Sequence, residues 1–314
     1  MRKKAYSTLK LLRPRQWIKN LAIFAAITFN GELFNFDLLQ HVLLGFFVFC
    51  GLSSAIYIMN DIFDIEKDRL HPFKKFRPLA NKALSIPYAL VVTLLLIAVS
   101  LWLGSFIGKG FFILILSYLF LQVLYSMILK HIAIIDILAL AGGYILRVYA
   151  GEFATGLHIS VWLLLTTISI SLFLAIGKRR SELTLISQYS DNQKKLIRSS
   201  LSHYSERLLD VYASVFATST FITYALFTFL ENPVGFKPSL GFLMPNFLPG
   251  FLQRKWLMIT IFPVVYGLMR YLQDIYEKHE GESPEKVLLS DKPLLATVII
   301  WVFLVIMTIY LFGG

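Results

Sequence analysis

Nine stretches of this sequence, each close to twenty residues long and poor in charge, restrict the fold more than any other feature. They fall at about 20–36, 39–59, 86–107, 111–129, 132–150, 160–177, 208–230, 256–273 and 292–312. A helix needs about 20 apolar residues to cross a hydrocarbon layer, and it satisfies its backbone groups internally where no water can. The expected fold class is therefore an all-α polytopic membrane protein with about nine transmembrane helices. The first stretch is the weakest, because Thr28, Asn30, Gly31 and Glu32 interrupt it. Composition agrees: with 57% hydrophobic and 16% charged residues and a mean hydropathy of +0.67, the 314-residue chain is too apolar for a soluble domain. No internal repeat, low-complexity tract or soluble second domain is evident, so residues 1–314 read as one integral-membrane domain.

The net charge of +11 would suit a nucleic-acid binder, but the position of the basic residues gives it another meaning. With the N-terminus in the cytoplasm, Lys and Arg concentrate before residue 20 and in 60–86, 178–207 and 270–292. The opposite face holds only Lys109, Lys237, Arg254 and Lys255, and Arg147 lies inside a span. This follows the positive-inside rule, places the C-terminus outside and needs no nucleic acid. The protein is expected in the cell (inner or plasma) membrane, multi-pass. Residues 1–19 are basic, without an apolar segment or cleavage site, and read as an interfacial N-terminus rather than a cleaved signal. Cys50 is the only cysteine, which excludes an internal disulfide and a cysteine-based metal cluster.

The chemistry concentrates where the second span ends, at Asn60-Asp61-Ile62-Phe63-Asp64-Ile65-Glu66-Lys67-Asp68. On a helix turning about 100° per residue, Asn60, Asp61, Asp64 and Asp68 fall at roughly 0°, 100°, 40° and 80°, within one quarter of the surface. Side-by-side carboxylates repel unless a cation sits among them. Oxygen ligands select a hard ion such as Mg²⁺, which is commonly shared with substrate phosphates. His71, Lys74, Lys75 and Arg77 follow at once, donors suited to phosphate oxygens. The alternative is a solvated charged loop between two helices, which would have no reason to keep this register.

Other polar residues allow two readings each. Arg13, Arg15, Trp17 and Lys19 form either an interfacial anchor or a basic lip for an anionic head group. Arg147, inside a span, faces either a polar cavity or a structural partner. Lys178, Arg179 and Arg180 close the sixth span as a topology anchor or as site residues, and the polar stretch 187–207 reads as an amphipathic helix able to act as a lid. Loops 60–86 and 178–207 are expected to form the active-site face.

The pattern Asn60-Asp61-x-x-Asp64-x-x-x-Asp68 at the end of a second span resembles the UbiA superfamily of intramembrane prenyltransferases. Its continuation, His71-Pro72-x-Lys74-x-x-Arg77-Pro78, is similar to the branch containing decaprenyl-phosphate phosphoribosyltransferase. Arg13 to Asn20, Tyr125-Ser126, Leu129-Lys130-His131, Asp136, Leu146-Arg147, Gly177-Lys178-Arg179, Glu182-Leu183 and Gly281 to Glu285 extend the likeness along most of the chain. Ordinary superfamily members carry a second aspartate-rich motif after the sixth span. Here that place reads Lys178-Arg179-Arg180-x-Glu182, mainly basic, which favours direct phosphate contact over a second metal cluster.

The resemblance implies a UbiA-type bundle that transfers a 5-phosphoribosyl group from phosphoribosyl diphosphate to a polyprenyl phosphate. It implies Mg²⁺ on Asp61, Asp64 and Asp68 with Asn60 auxiliary, and no general base, since a phosphate monoester is already ionised. It also implies substrate contacts from Lys19, His71, Lys74, Arg77, Tyr125, Lys130, Arg147, Lys178, Arg179 and Glu182. The implied partners are the two substrates and the bilayer, with a homo-oligomer left open. Two rivals stand beside it: an aromatic prenyltransferase using a polyprenyl diphosphate, and a lipid-binding or transport protein without catalysis.

Overall fold

The computed structural model describes residues 2–70, 74–187, 201, 203–231, 256–277 and 284–312, and among them there is no strand. The helices are α1 (Arg2–Leu12), a 3₁₀ helix (Pro14–Phe24), α2 (Ala25–Phe29), α3 (Phe36–Phe63), α4 (Ile65–Leu70), α5 (Ile86–Ser105), α6 (Lys109–Met127) and α7 (Ile135–Thr155). They continue with α8 (Val161–Ser187), α9 (Glu206–Leu230), α10 (Ile261–Glu277), α11 (Pro284–Ser290) and α12 (Lys292–Ile306). Single 3₁₀ turns cover Lys74–Phe76 and Leu129–His131, Trp256–Thr260 leads into α10, and a π-helical turn over Met307–Phe312 extends α12.

Side-chain caps mark several starts. Asn35 accepts from the Leu38 N–H ahead of α3, Ser205 from the Leu208 N–H ahead of α9, and Asp291 from the Leu294 N–H at 2.8 Å ahead of α12. Among the described residues seven helices are long and apolar enough to cross a membrane: α3, α5, α6, α7, α8, α9 and α12 with its extension. Phe47, Leu94, Trp102, Phe120 and Phe303 are exposed on them, as suits helices facing acyl chains. Inside, Phe49, Leu52, Phe111, Ile115, Tyr118 and Ala150 pack α3, α6 and α7 together.

Two of the nine expected spans take another form. The stretch 256–273 becomes the short 3₁₀ turn plus α10, whose 17 residues rise only about 25 Å. The stretch 20–36 makes no long helix: the 3₁₀ helix occupies 14–24, α2 lasts five residues, and the chain turns at Asn30 and Gly31, the latter at φ +77°. The polar residues that weaken this apolar run are where it stops.

An 11-residue 3₁₀ helix is unusually long, and at about 2 Å per residue it spans further than an α-helix of equal length. Anchors from neighbouring helices hold this strap. The Trp17 indole donates to Ser54 Oγ at 3.0 Å, and Arg147 Nε donates to Asn20 Oδ1 at 2.8 Å. At Gly151 of α7 the strap backbone comes so close that an added Cβ would lie 1.9 Å from the Ile23 carbonyl oxygen. Backbone cannot rotate away as a side chain can, so Gly151→Ala is expected to destabilise by at least 1–3 kcal/mol, the range for core overpacking. A melting temperature equal to wild type would show that the strap is not seated there.

Candidate active site

The acidic motif sits at a joint. α3 ends at Phe63, Asp64 caps it, and α4 begins at Ile65. Across the break Asp64 N–H still donates to Asn60 O at 2.9 Å and Asp68 N–H to Asp64 O at 2.8 Å, so the i to i−4 register persists. Asp61 is 2% and Asp68 4% exposed. Both carboxylates converge on one guanidinium: Arg77 Nη1 lies 3.1 Å from Asp61 Oδ1 and 2.6 Å from Asp68 Oδ2. Arg13 also pairs with Asp61. Asp64 turns to Lys130, whose Nζ is 3.5 Å from Oδ1. Arg77 is placed by a loop whose Leu79 and Leu84 are buried with Leu11, Ile58 and Ile65.

The strap supplies the neighbouring side of the site. Arg13 has left-handed backbone (φ 52°) where the 3₁₀ helix starts, and its guanidinium lies over the Tyr57 ring, 5.0 Å from the centroid. Left-handed geometry in a non-glycine residue is strained and is retained where the surroundings enforce it. Tyr57 precedes Asp61 by one turn on α3, so the two share a face. Its hydroxyl donates to Gln16 Oε1 at 2.9 Å, as does Lys19 Nζ at 2.7 Å. Gln16 Nε2 in turn donates to Glu285 of α11, and Lys19 Nζ lies 2.9 Å from Glu285 Oε2. Lys19 is thus carried by a carboxylate rather than presented bare at a lip.

Gln16, Tyr57 and Glu285 were not singled out by the sequence as site residues. The residues at 13–20 and 281–285 belong to the family likeness, but nothing local says that these segments meet.

Burial alone would raise the Glu285 carboxyl, yet the charge and hydrogen bond of Lys19 outweigh it and hold the group at about 2 against an ordinary 4.5. A carboxyl depressed by folding stabilises above its unfolded value, and that contribution disappears as pH falls through the folded one. The shift corresponds to roughly 3 kcal/mol. The lead of wild type over Glu285→Gln in melting temperature should therefore be full at pH 7, narrow below about 4.5 and vanish near 2. A pH-independent difference in melting temperature would contradict the ion pair.

The basic triplet after the sixth span splits three ways. Arg179 has no accessible surface: Nε is 2.6 Å from Asp136 Oδ2, Nη1 pairs with Glu182, and Nη2 donates to the Tyr125 hydroxyl at 2.9 Å. This departs from the expected phosphate contact, because the guanidinium, Tyr125 and Asp136 are locked together inside the bundle. Tyr204 extends the lock, donating to Asp136 Oδ1 at 2.7 Å and accepting from the N–H of Ile134, a β-branched residue at φ 69°. Arg180 turns the other way, onto Asp210 at 2.7 Å and Glu206 at 3.0 Å. Lys178 alone of the three makes no hydrogen bond or ion pair among the described residues, and it lies within electrostatic reach of Glu285.

Other expected site residues are placed as follows. Lys130 is buried, and Lys74 is exposed beside Arg77. Asn60 is half-buried where α3 ends. Arg147 is 6% exposed and gives its N–H groups to Asn20, Gly143 O at 2.7 Å and the Tyr118 hydroxyl at 2.7 Å, which favours the structural reading over a substrate contact. His71 lies outside the described residues, as does most of the expected lid over 187–207.

Among the described residues no three His, Cys, Asp or Glu side chains form a ready-made metal group. The structure does offer a pair, Asp61 and Asp68, already converging on a positive centre, with Asp64 beside them. That donor set suits a cation which keeps several waters and takes its remaining ligands from substrate phosphates, as Mg²⁺ does.

Known proteins resemble this chain in sequence and in fold. A model described as UbiA prenyltransferase family matches residues 21–290. Decaprenyl-phosphate phosphoribosyltransferase of Corynebacterium glutamicum is 35% identical over 309 residues, covering 96% of this chain and 86% of that protein. The protein of the same name from Mycolicibacterium smegmatis is 32% identical over 298 residues, covering 94% and 89%. The structure of a UbiA homolog from Archaeoglobus fulgidus bound to GPP and Mg²⁺ superposes with a TM-score of 0.66 at 20% identity, over 96% of this chain and 99% of that one, a likeness of fold. The chain belongs to the UbiA prenyltransferase family.

Proposed function

We propose that this enzyme transfers a 5-phosphoribosyl group from phosphoribosyl diphosphate to a polyprenyl phosphate and releases diphosphate. The observation that carries the reading is the exchange of acid for base after the sixth span. Where a second aspartate cluster would seat a prenyl diphosphate through metal, Lys178 stands beside Glu285, and Arg179 is locked inside. The name shared by two relatives covered over 86% and 89% of their length, decaprenyl-phosphate phosphoribosyltransferase, supports the same acceptor class and transferred group.

Asp61, Asp64 and Asp68 would hold Mg²⁺, which when bound supplies charge neutralisation for a departing diphosphate. Arg13 and Arg77, seated on those carboxylates, are placed to turn onto diphosphate oxygens, with Lys74 and Lys130 beside them, and His71 would serve as a further phosphate donor. Asn60 would act as an auxiliary ligand and Glu182 as a further substrate contact. The bond from ribose C1 to the diphosphate oxygen breaks with its electron pair on the leaving group, and a lipid phosphate oxygen closes on C1 from the opposite face. That oxygen is already ionised, so no side chain has to remove a proton. The acyl chain leaves sideways between the apolar helices. The whole of 1–314 acts as one membrane domain, with its N-terminus and loops 60–86 and 178–207 on the cytoplasmic side of the cell membrane.

The test is incubation of the purified protein with ribose-labelled phosphoribosyl diphosphate, polyprenyl phosphate and Mg²⁺. Label entering the lipid fraction with equimolar diphosphate release is the expected result. Absence of lipid-linked ribose, with consumption of a polyprenyl diphosphate supplied in a parallel incubation, would overturn it.

A further inference from the structure

A second polar set gathers one turn along α3 from the acid pair, and the diphosphate reading leaves it without a task. Its members come from helices that meet beside the strap. Glu285 of α11 is 3% exposed and takes Gln16 and Lys19 as partners. Tyr271 of α10 is 4% exposed, and its hydroxyl has no hydrogen-bond partner among the described residues. It lies within electrostatic reach of Glu285, Lys19 and Tyr144. Lys178 of α8 is near Glu285 as well. Gly177, just before it, has no Cβ; one built there would come 3.0 Å from the Tyr271 ring and 3.1 Å from its hydroxyl. The bare backbone of α8 thus gives the Tyr271 ring its place.

A carboxylate near a doubly phosphorylated donor repels its phosphates. What it can do for that donor is accept O–H groups, and an ionised carboxylate has about four lone-pair positions, more than Gln16 and Lys19 use. A buried hydroxyl without a partner is unfavourable by itself, so its presence fits a ligand that completes it. A pentose has neighbouring hydroxyls to give, whereas a prenyl chain has none and would leave both groups unsatisfied. We propose that Glu285 and the Tyr271 hydroxyl receive the ribose hydroxyls of the donor, while Lys178 takes its 5-phosphate. This rests on the transfer reaction above and adds to it the feature that selects a sugar.

The experiment measures transfer to polyprenyl phosphate from 5-phosphoribosyl diphosphate, with the 2-deoxy and 3-deoxy analogues as competitors. In wild type at least one analogue should bind about tenfold to a hundredfold more weakly than the donor, the span of a hydrogen bond to a charged group. In Glu285→Gln that gap should shrink by about fivefold or more, as a charged acceptor becomes neutral. Equal weakening of donor and analogue would mean that the Lys19 pair is only structural, and would overturn the proposal. So would the absence of any gap in wild type. Tyr271→Phe deletes a hydroxyl with no hydrogen-bond partner among the described residues and therefore keeps the fold. It should raise the donor KM and narrow the same gap, and unchanged discrimination overturns the proposal even if Glu285→Gln fails to fold. Should wild type transfer no ribose label at all, the reaction itself is wrong; transfer with indifferent discrimination removes this inference alone.

Discussion

Asp68→Asn is expected to lower formation of the ribosyl lipid by about a thousandfold or more, roughly 4 kcal/mol in the barrier. The change is isosteric and keeps an acceptor for Arg77, so the joint between α3 and α4 should hold. What it removes is half of the charge that converges with Asp61 on one point, 2.6 and 3.1 Å from a single nitrogen. Asp61→Asn should lose activity to the same order, because Asp61 is equally buried and shares that centre. The measurement is single-turnover transfer at saturating donor and Mg²⁺, with elution and melting temperature as folding controls. A variant retaining more than about a tenth of wild-type turnover would place the metal elsewhere.

The second large effect concerns stability. Arg179→Met takes from the Asp136 carboxylate, which has no accessible surface, the guanidinium 2.6 Å from its Oδ2, and leaves its bond from the Tyr204 hydroxyl in place. Breaking a buried pair on one side costs about 3–5 kcal/mol, so the variant should be poorly folded in detergent. Arg179→Lys should recover little, because one ammonium cannot meet Asp136, Glu182 and Tyr125 along three directions. The double change Arg179→Met with Asp136→Asn should recover part of the loss, since it removes both buried charges. Full stability of the single variant would show that the cluster is not needed for folding.

The spanning helices were legible in the sequence because hydrocarbon permits few alternatives: seven of the nine apolar runs became helices long enough to cross. The register of Asp61, Asp64 and Asp68 was legible too, since the i to i−4 bonds survive the joint at Asp64. The strap was not. Its apolar residues read as a crossing helix, and contacts with distant residues such as Ser54, Arg147 and Gly151 hold it as a 3₁₀ helix instead. Lys178, Arg179 and Arg180 look equivalent in sequence. About 100° of turn between neighbours sends them to three different surroundings: Lys178 within reach of Glu285, Arg179 onto Asp136 and Arg180 onto Asp210. Glu285 and Gln16 are 269 residues apart, and no periodicity reports such a meeting.

That last contact has a consequence for biogenesis. A membrane chain is inserted from its N-terminus, so Gln16 and Lys19 emerge long before α11, and the strap must wait beside α3 with an unmatched ammonium until Glu285 arrives. Completion of the mouth is therefore a late event of assembly, with only α12 still to follow, and a nascent chain halted ahead of α11 holds its aspartates without the carboxylate that Lys19 needs.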